Sequence, residues 1–171
     1  MHSIEQLMSF LTTQKLTLVT AESCTAGMQA SMLADIPGCG AVLHNGFVVY
    51  SKESKQACLG VSLHTIEIFG LTSEEVAREM AIGALKRSKA DIALANTGLA
   101  ESDDALNGVV CFACAMRCQG EQVVVSETLK FEGDRNDVRR AASRYGLLRV
   151  PYWYDCLCQP RTTPEADAPV H

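Results

Sequence analysis

A turn rich in hydroxyl groups lies near the N-terminus and is the first place where this chain could do chemistry. It covers residues 20–27 and stands between an apolar, β-prone run at 16–19 and a helix-like run at 28–34. Such a turn sits at the carboxyl end of a strand, and the helix start beyond it offers unpaired N–H groups to an anion or an oxyanion. Capping of the helix by Ser23 or Thr25 explains the same residues without any chemistry.

Length and composition describe one ordinary globular domain. A chain of 171 residues is long enough to bury roughly 70% of the surface of its unfolded form. Hydrophobic residues make up 47% and charged residues 20%, as in ordinary globular proteins. The net charge of -5 provides no basic footprint, so no nucleic-acid partner is expected.

The N-terminus lacks the basic segment and long apolar core of a signal peptide. No run of about 18 apolar residues exists, so we expect a cytoplasmic protein without a membrane partner. In that compartment the eight cysteines are expected to be buried thiols. Cys111 and Cys114 have metal-site spacing, but in a strand residues three apart point to opposite faces. We therefore expect no metal and no cofactor.

The order of predicted elements favours an α/β domain. Ser3 and Ser73 precede helices, His44-Asn45-Gly46 suggests a bend or bulge in a strand, and residues 108–116 and 122–131 form a hairpin. Asn136 is predicted to cap a last helix that ends at Leu148. The domain therefore covers residues 1–150, with a mixed sheet between helical layers, and the Pro-rich tail 151–171 is expected to be disordered.

Four separated motifs resemble one known family, the C-terminal domain family of the competence/damage-inducible protein CinA. They are Ala21-Glu22-Ser23-Cys24-Thr25, Val49-Tyr50-Ser51 with Lys55 beyond it, Thr97-Gly98-Leu99-Ala100, and Phe131-Glu132-Gly133-Asp134-Arg135 followed by Val138-Arg139. They occur in the family's order between about Ile4 and Leu148.

The resemblance implies a three-layer α/β/α sandwich that forms a homo-oligomer. It also implies a nicotinamide-nucleotide amidohydrolase, which converts nicotinamide mononucleotide to nicotinate mononucleotide and ammonia. Amide hydrolysis needs a nucleophile, a base and oxyanion donors, and no histidine lies near a motif. Ser23 is then the nucleophile, Lys55 the base after losing its proton through burial, and Tyr50 a proton relay or an orienting group.

The remaining motif residues are candidates for binding the nucleotide substrate. They are Cys24, Thr25, Ala26, Gly27, Gly98, Ala100 and Arg135, of which the first four also offer backbone N–H groups to an oxyanion. Structural alternatives stay open: Lys55 as a solvated lysine, Tyr50 as a core residue, and Asp134 and Arg135 as a turn cap and its ion pair. Arg139 is interpreted as a surface charge of the last helix.

Two functional hypotheses follow. In the first, the protein hydrolyses the amide of nicotinamide mononucleotide or of a related, less anionic compound. In the second, it is a paralogue that retains the fold, has lost activity and acts as a binding or regulatory protein. Residues 101–104, Glu-Ser-Asp-Asp, place three carboxylates where the family has a glycine-rich loop, and Ala26 stands where the family has glycine.

Overall fold

A single mixed sheet forms the centre of the molecule. The computed structural model of the chain describes residues 3–103 and 105–158. Its strands are β1 (Leu18–Glu22), β2 (Leu43–Val48), β3 (Ile92–Gly98), β4 (Val109–Cys118) and β5 (Glu121–Lys130). They lie in the order β2-β1-β3-β4-β5. Strand β1 is parallel to β2 and β3, whereas β4 is antiparallel to both β3 and β5.

Helices cover both faces of this sheet. They are α1 (Ile4–Thr13), α2 (Met28–Ala34), α3 (Lys52–Ser54), α4 (Leu63–Phe69), α5 (Glu74–Lys86) and α6 (Arg135–Cys158), with a 3-10 turn at Cys39–Ala41 and a π-helical turn at Lys55–Leu59. The predicted caps are confirmed, because the hydroxyls of Ser3 and Ser73 accept from the N–H groups of Gln6 and Val76.

The core has two halves, one on each face of the sheet. On one face, α1, α2 and α6 pack against the sheet through residues such as Leu7, Leu33 and Leu147. On the other face, Met80 and the alanines of α5 pack against small sheet residues, including Ala93 and Ala113. The two half-cores confirm the predicted three-layer α/β/α architecture.

Two local predictions for the strands are also confirmed. Leu18 pairs with Leu43 but Val19 pairs with Asn45, so His44 is an extra residue and forms a bulge. The hairpin between β4 and β5 turns at Gln119 and Gly120, whose φ angles of 52° and 88° are both positive. This is the backbone conformation that two-residue hairpins require.

The predicted end of the last helix is wrong. Helix α6 does not end at Leu148 but continues through Pro151 to Cys158, so residues 151–158 are not the disordered tail that we expected. Trp153 is only 2% exposed in the core, and Tyr154 packs edge-on against Phe10. Burial of these aromatic rings outweighs the backbone hydrogen bond that proline removes. The rest of the predicted tail, residues 159–171, lies outside the described residues.

The predicted start of α6 also needs correction. The helix begins at Arg135, and the carboxylate of Asp134 accepts hydrogen bonds from the N–H groups of Asn136 and Asp137. Asp134 is therefore the capping residue, in the position that we assigned to Asn136. Its short side chain reaches the first turn of the helix, which favours the structural interpretation of this residue.

The cysteines differ in part from expectation. Cys111 and Cys114 are buried in opposite half-cores, as the strand geometry predicted. The expectation of eight buried thiols is wrong, since Cys118 and Cys158 form a disulfide and both Cys58 and Cys156 are exposed.

In residues 3–103 and 105–158, no helix is long and apolar enough to cross a membrane. The same part of the chain contains no cluster of three potential metal ligands.

Candidate active site

Ser23 lies immediately after the carboxyl end of β1, the second strand of the sheet. Its N–H donates to the carbonyl oxygen of Asn96 at 3.2 Å, and its own carbonyl accepts from the N–H of Ala26 at 3.0 Å. These bonds fix the Ser23 backbone to β3 on one side and to the turn on the other. The sequence placed the turn from residue 20, whereas β1 continues to Glu22, so only the residues from Ser23 onward leave the sheet.

The side chain of Lys55 reaches Ser23 from the π-helical turn. Its Nζ donates to Ser23 Oγ at 2.9 Å, to the carbonyl oxygen of Val49 at 2.9 Å and to that of Tyr50 at 3.1 Å. The two carbonyl oxygens can only accept, so they fix two of the N–H bonds. In a neutral amine the remaining tetrahedral position is a lone pair, and it faces the Ser23 hydroxyl.

Burial adjusts the protonation of this amine. Lys55 is 1% exposed, and none of the ion pairs within residues 3–103 and 105–158 includes it. Because burial penalises the ammonium, it lowers the pKa of Lys55 from 10.5 to about 8. A substantial fraction of the side chain is then neutral near physiological pH. Lys55 is therefore not the solvated surface lysine of the alternative interpretation.

This pKa predicts how stability depends on pH. Between pH 8 and 10.5 the unfolded chain holds a proton on Lys55 that the folded chain has released, so unfolding becomes less favourable as pH rises. We expect the free energy of unfolding of the wild type, minus that of Lys55→Met, to increase by up to about 3 kcal/mol over this range. Urea unfolding at a series of pH values measures the difference. A difference that does not change with pH would contradict the lowered pKa.

The π-helical turn determines where Lys55 can reach. The N–H of Val61 donates a hydrogen bond to the carbonyl oxygen of Lys55 across this turn. The turn packs against α5 at Gly83. A Cβ at Gly83 would collide with the carbonyl oxygen of Leu59, so only glycine permits this approach. The close contact lets the turn press against α5 while its first residue points into the site. Turns of this kind are frequent at functional sites.

A buried carboxylate organises the turn that carries Ser23. Oε2 of Glu22 accepts from Thr25 Oγ1 at 2.7 Å and from the N–H groups of Gly27 and Gln29 at 3.0 Å, and Oε1 accepts from the N–H of Ala30 at 3.0 Å. Glu22 therefore satisfies N–H groups at the start of α2, where a negative charge is favourable. It anchors the turn without contacting Lys55.

Replacing Glu22 by Gln should destabilise the fold by roughly 2–4 kcal/mol. One end of the amide cannot accept a hydrogen bond, so at least one group that donates to Glu22 loses its partner, and the remaining bonds lose their charge assistance. Urea unfolding measures this loss. The matched control is Glu53→Gln, an exposed glutamate whose replacement should change stability by less than about 0.5 kcal/mol. Equal effects of the two substitutions would contradict the anchoring role.

The backbone N–H groups available to an oxyanion are fewer than predicted. Ala26 N–H donates to the carbonyl of Ser23, and Gly27 N–H donates to Glu22. Within the described part of the chain, the N–H groups of Cys24 and Thr25 donate to no other residue. The oxyanion donors are thereby reduced to these two.

The Cys24 thiol is a poor competitor for the role of nucleophile. Its Sγ lies 3.6 Å from the side-chain oxygen of Asn96, and burial raises the pKa of Cys24 to about 11. Since the thiolate is the reactive form of cysteine, a pKa of this size keeps the side chain unreactive near pH 7. Ser23, with an amine at 2.9 Å, is the better-activated group.

A cavity of about 160 Å³ opens beside Ser23 and Lys55. Its lining residues come from four segments of the chain: Ser23, Cys24, Tyr50, Lys55, Leu71, Thr72, Thr97, Gly98 and Leu99. Pockets that enclose a drug-sized ligand measure roughly 300–1,000 Å³, so this cavity suits a small planar group whose substituents extend outward. Within the lining, Thr97 Oγ1 donates to the carbonyl oxygen of Leu71 at 2.8 Å and connects the loop after α4 to β3.

Tyr50 lines the cavity, and its predicted role as a proton relay or an orienting group stays a prediction. Its side chain is 55% exposed, and its hydroxyl accepts from Arg135 Nη2 at 2.9 Å. No hydrogen bond joins this hydroxyl to Ser23 or Lys55 among the residues that the structure describes. The exposure also excludes Tyr50 as a core residue. The pair places the exposed Arg135 guanidinium at the rim of the cavity, so Arg135 is not simply the ion-pair partner of Asp134.

Of the other predicted binding residues, some line the cavity and others do not. Gly98 lines the cavity, and a Cβ there would collide with the backbone of β4. The side chains of Thr25 and Ala100 are buried and do not line the cavity, and Thr25 Oγ1 contacts Glu22 and Asn96. Ala26 adopts a left-handed φ of 51° with an exposed side chain, so its methyl group does not crowd the turn.

Three residues of the site were missed in the sequence. Asn96 is fully buried and links Ser23, Thr25 and Gln29, and Arg139 contacts the turn itself. Arg139 is therefore not the surface charge that we predicted. Asn96 carries a usable signal, since it is a polar residue at the end of an apolar strand. Arg139 carries only its place in the fourth motif and Gln29 carries no signal, because their roles depend on packing between α2, α6 and the turn.

The CinA C-terminal domain family matches residues 2–151 of this chain. A CinA-like protein of Chlorobium phaeobacteroides (strain BS1) is 45% identical over 154 residues, covering 86% of this chain but only 37% of that protein. The nicotinamide-nucleotide amidohydrolase PncC of Escherichia coli (strain K12) is 42% identical over 147 residues, covering 84% of this chain and 87% of that protein.

Solved structures agree with these sequence relationships. A competence or damage-inducible protein from Enterobacter asburiae superimposes with a TM-score of 0.81 at 36% identity, covering 88% of this chain and 94% of that one. A CinA superfamily protein from Escherichia coli gives a TM-score of 0.80 at 32% identity, covering 89% and 91%. The chain spans little more than a third of the CinA-like protein of Chlorobium, but nearly the whole of these solved chains. With its fold, its turn and its Ser23–Lys55 pair in place, this chain belongs to the CinA C-terminal domain family.

Proposed function

We propose that this protein is an amidohydrolase that removes ammonia from the carboxamide of nicotinamide mononucleotide or of a closely related, less anionic compound. The observation that carries the proposal is the 2.9 Å contact between Ser23 Oγ and the buried amine of Lys55. The relative named nicotinamide-nucleotide amidohydrolase PncC, which is matched over nearly its full length, supports the choice of substrate.

The proposed reaction begins with attack of Ser23 Oγ on the carboxamide carbon. The hydroxyl proton passes to the lone pair of Lys55 Nζ, and the oxyanion of the tetrahedral intermediate accepts from the backbone N–H groups of Cys24 and Thr25. The intermediate collapses as the C–N bond breaks, and the Lys55 ammonium donates its proton to the departing nitrogen. Ammonia leaves, and the acyl group remains on Ser23 as an ester.

Water completes the cycle. It attacks the ester carbon and passes a proton to Lys55, which then protonates Ser23 Oγ as the ester bond breaks. The product is a carboxylic acid, and both side chains return to their starting state. A single amine therefore serves as base and acid in both halves of the reaction, which explains why no histidine is needed.

The size of the cavity suggests how the substrate lies. At about 160 Å³ it would hold the pyridine ring and carboxamide, while the ribose and phosphate extend past its rim. The Arg135 guanidinium, held at the rim by the Tyr50 hydroxyl, would meet the phosphate. The exposed carboxylates Glu101 and Asp103 follow the cavity residue Leu99, and they would oppose a dianionic group nearby.

Ammonia release from nicotinamide mononucleotide by the purified protein tests the proposal. Nicotinamide riboside, which lacks the phosphate, is assayed in parallel to determine whether the carboxylates shift the preference to the less anionic amide. Release from either compound supports amide hydrolysis. Absence of release from both would overturn the proposal and favour the inactive paralogue.

A further inference from the structure

Arg139 contacts the turn that carries the candidate nucleophile, although it lies 115 residues away from Cys24 in the chain. Its Nε donates to the carbonyl oxygen of Cys24 at 3.0 Å, and its Nη2 donates to the carbonyl oxygen of Thr25 at 3.2 Å. Its Nη1 donates to the side-chain oxygen of Asn136 at 3.1 Å, which orients the guanidinium from within α6. Each of the three nitrogens of the planar guanidinium fork thus donates one hydrogen bond, two to consecutive peptide carbonyls and one to an amide oxygen.

The peptide between Cys24 and Thr25 connects Arg139 to the oxyanion site. A trans peptide is planar, with its C=O and N–H on opposite sides. Fixing the carbonyl of Cys24 therefore also fixes the direction of the Thr25 N–H, which points away from the guanidinium. The preceding peptide is fixed by a different bond, from the Ala26 N–H to the Ser23 carbonyl, and that bond orients the Cys24 N–H.

The charge of Arg139 acts on the same peptide. A cation bonded to a carbonyl oxygen withdraws electron density along the peptide and makes its N–H a stronger donor. The field of Arg139 reaches the turn, since this cation also acts to lower the pKa of the Cys24 thiol, against the larger effect of burial. A neutral residue at this position would provide neither the polarisation nor the fork.

We propose that Arg139 is a positioning residue of the oxyanion site, which orients and polarises the Cys24–Thr25 peptide so that the Thr25 N–H stabilises the tetrahedral intermediate. The inference rests on the proposed function for its reaction. It goes beyond that function by assigning a catalytic contribution to a residue of α6 that does not line the cavity. A purely structural clamp between α6 and the turn is the competing explanation, and it predicts lost stability without a specific loss of transition-state binding.

The test compares Arg139→Gln and Arg139→Lys with Arg140→Gln. Arg140 is the neighbouring exposed arginine, and it pairs with Asp137 at 2.8 Å. With nicotinamide mononucleotide, Arg139→Gln should lower kcat by about 10²-fold with KM changed by less than about threefold, which is the cost of losing one oxyanion donor. Arg139→Lys keeps the charge but loses the fork, and should recover about tenfold of that loss. Arg140→Gln should match the wild type.

A second readout uses pyridine-3-boronic acid, which forms an anionic tetrahedral adduct with a serine hydroxyl. Its affinity should fall in Arg139→Gln by about the same factor as kcat, while the affinity for nicotinate mononucleotide stays within threefold. Because this measurement needs only Ser23, it reports on the oxyanion site even if the wild type fails to release ammonia. Unchanged kcat, unchanged boronate affinity, or a loss confined to KM would overturn the inference while leaving the proposed function standing.

A milder substitution tests the same role if Arg139→Gln fails to fold. Asn136→Ala removes only the amide that orients the guanidinium, at an exposed position, and should lower kcat and boronate affinity together by about threefold. If Arg139→Gln does not fold, this variant and Arg139→Lys decide the question. Full activity and full boronate affinity in both would overturn the positioning role.

Discussion

Replacing Ser23 by Ala is expected to lower kcat for ammonia release by at least about 10³-fold and to leave substrate affinity within about threefold. The variant removes one oxygen atom, the Ser23 Oγ that lies 2.9 Å from the Lys55 amine. The backbone bonds of Ser23 to Asn96 and Ala26 do not involve the hydroxyl, so the turn should persist. Steady-state ammonia release and binding of the product measure the two parameters.

The matched control for this substitution is Ser9→Ala, at an exposed serine of α1. It should retain wild-type kcat and KM. Ser23→Ala activity within tenfold of the wild type would remove Ser23 from the mechanism and leave a directly activated water as the attacking group. A residual rate well above that of free solution is compatible with the proposal, because the oxyanion donors and the bound orientation of the amide remain.

The geometry also bears on the inactive-paralogue hypothesis. A buried lysine destabilises a fold unless its neighbours compensate, and within residues 3–103 and 105–158 Lys55 has two carbonyl oxygens and a hydroxyl but no carboxylate partner. Glu22 holds the turn at the same place through four hydrogen bonds, two of them buried. A buried Lys55 beside a turn anchored by Glu22 favours a chain that still uses both in the reaction. If the reaction does use both, the three carboxylates of residues 101–104 would affect which amide is accepted rather than whether hydrolysis occurs.

Local patterns were sufficient to predict most of the fold. The caps at Ser3 and Ser73, the bulge at His44 and the hairpin between β4 and β5 each depend on residues close together in the chain. The last helix was misjudged because proline at 151 is a strong local stop signal, whereas burial of Trp153 is a tertiary effect. A sequence pattern cannot show whether the burial of Trp153 outweighs the helix-breaking effect of Pro151.

The site shows the same division between local and tertiary information. The position of Ser23 follows from a strand, a turn and a helix, all of which are local. The burial of Lys55 depends on the contact between the π-helical turn and Gly83, and the contact of Arg139 with the turn depends on how α6 crosses the sheet. From local patterns alone, Lys55 and Arg139 would both be interpreted as surface charges. The family resemblance favoured a catalytic role for Lys55, and the structure revealed that Arg139 contacts the turn.

Replacing Lys55 by Met should lower kcat by at least about 10³-fold and change the pH dependence of what remains. Below its pKa of about 8 the wild-type amine carries a proton and has no lone pair for the Ser23 proton. We therefore expect wild-type kcat/KM to rise about tenfold per pH unit at low pH and to level off above about 8. The residual activity of Lys55→Met should show no such inflection, while Lys52→Met, at an exposed lysine of α3, should retain the wild-type profile.

A second substitution separates a base from a cationic hydrogen-bond donor. Lys55→Arg keeps a positive charge and several N–H donors, but the guanidinium does not lose its proton in proteins. If Lys55 acts as a base, this variant should be as inactive as Lys55→Met at every pH. If Lys55 acted only by donating to Ser23 or to the substrate, the arginine variant would retain much of the activity and the wild-type profile would be flat near pH 8. That pair of results would assign the proton transfer to another group, whereas loss of activity in both variants together with the inflection near 8 would assign it to Lys55.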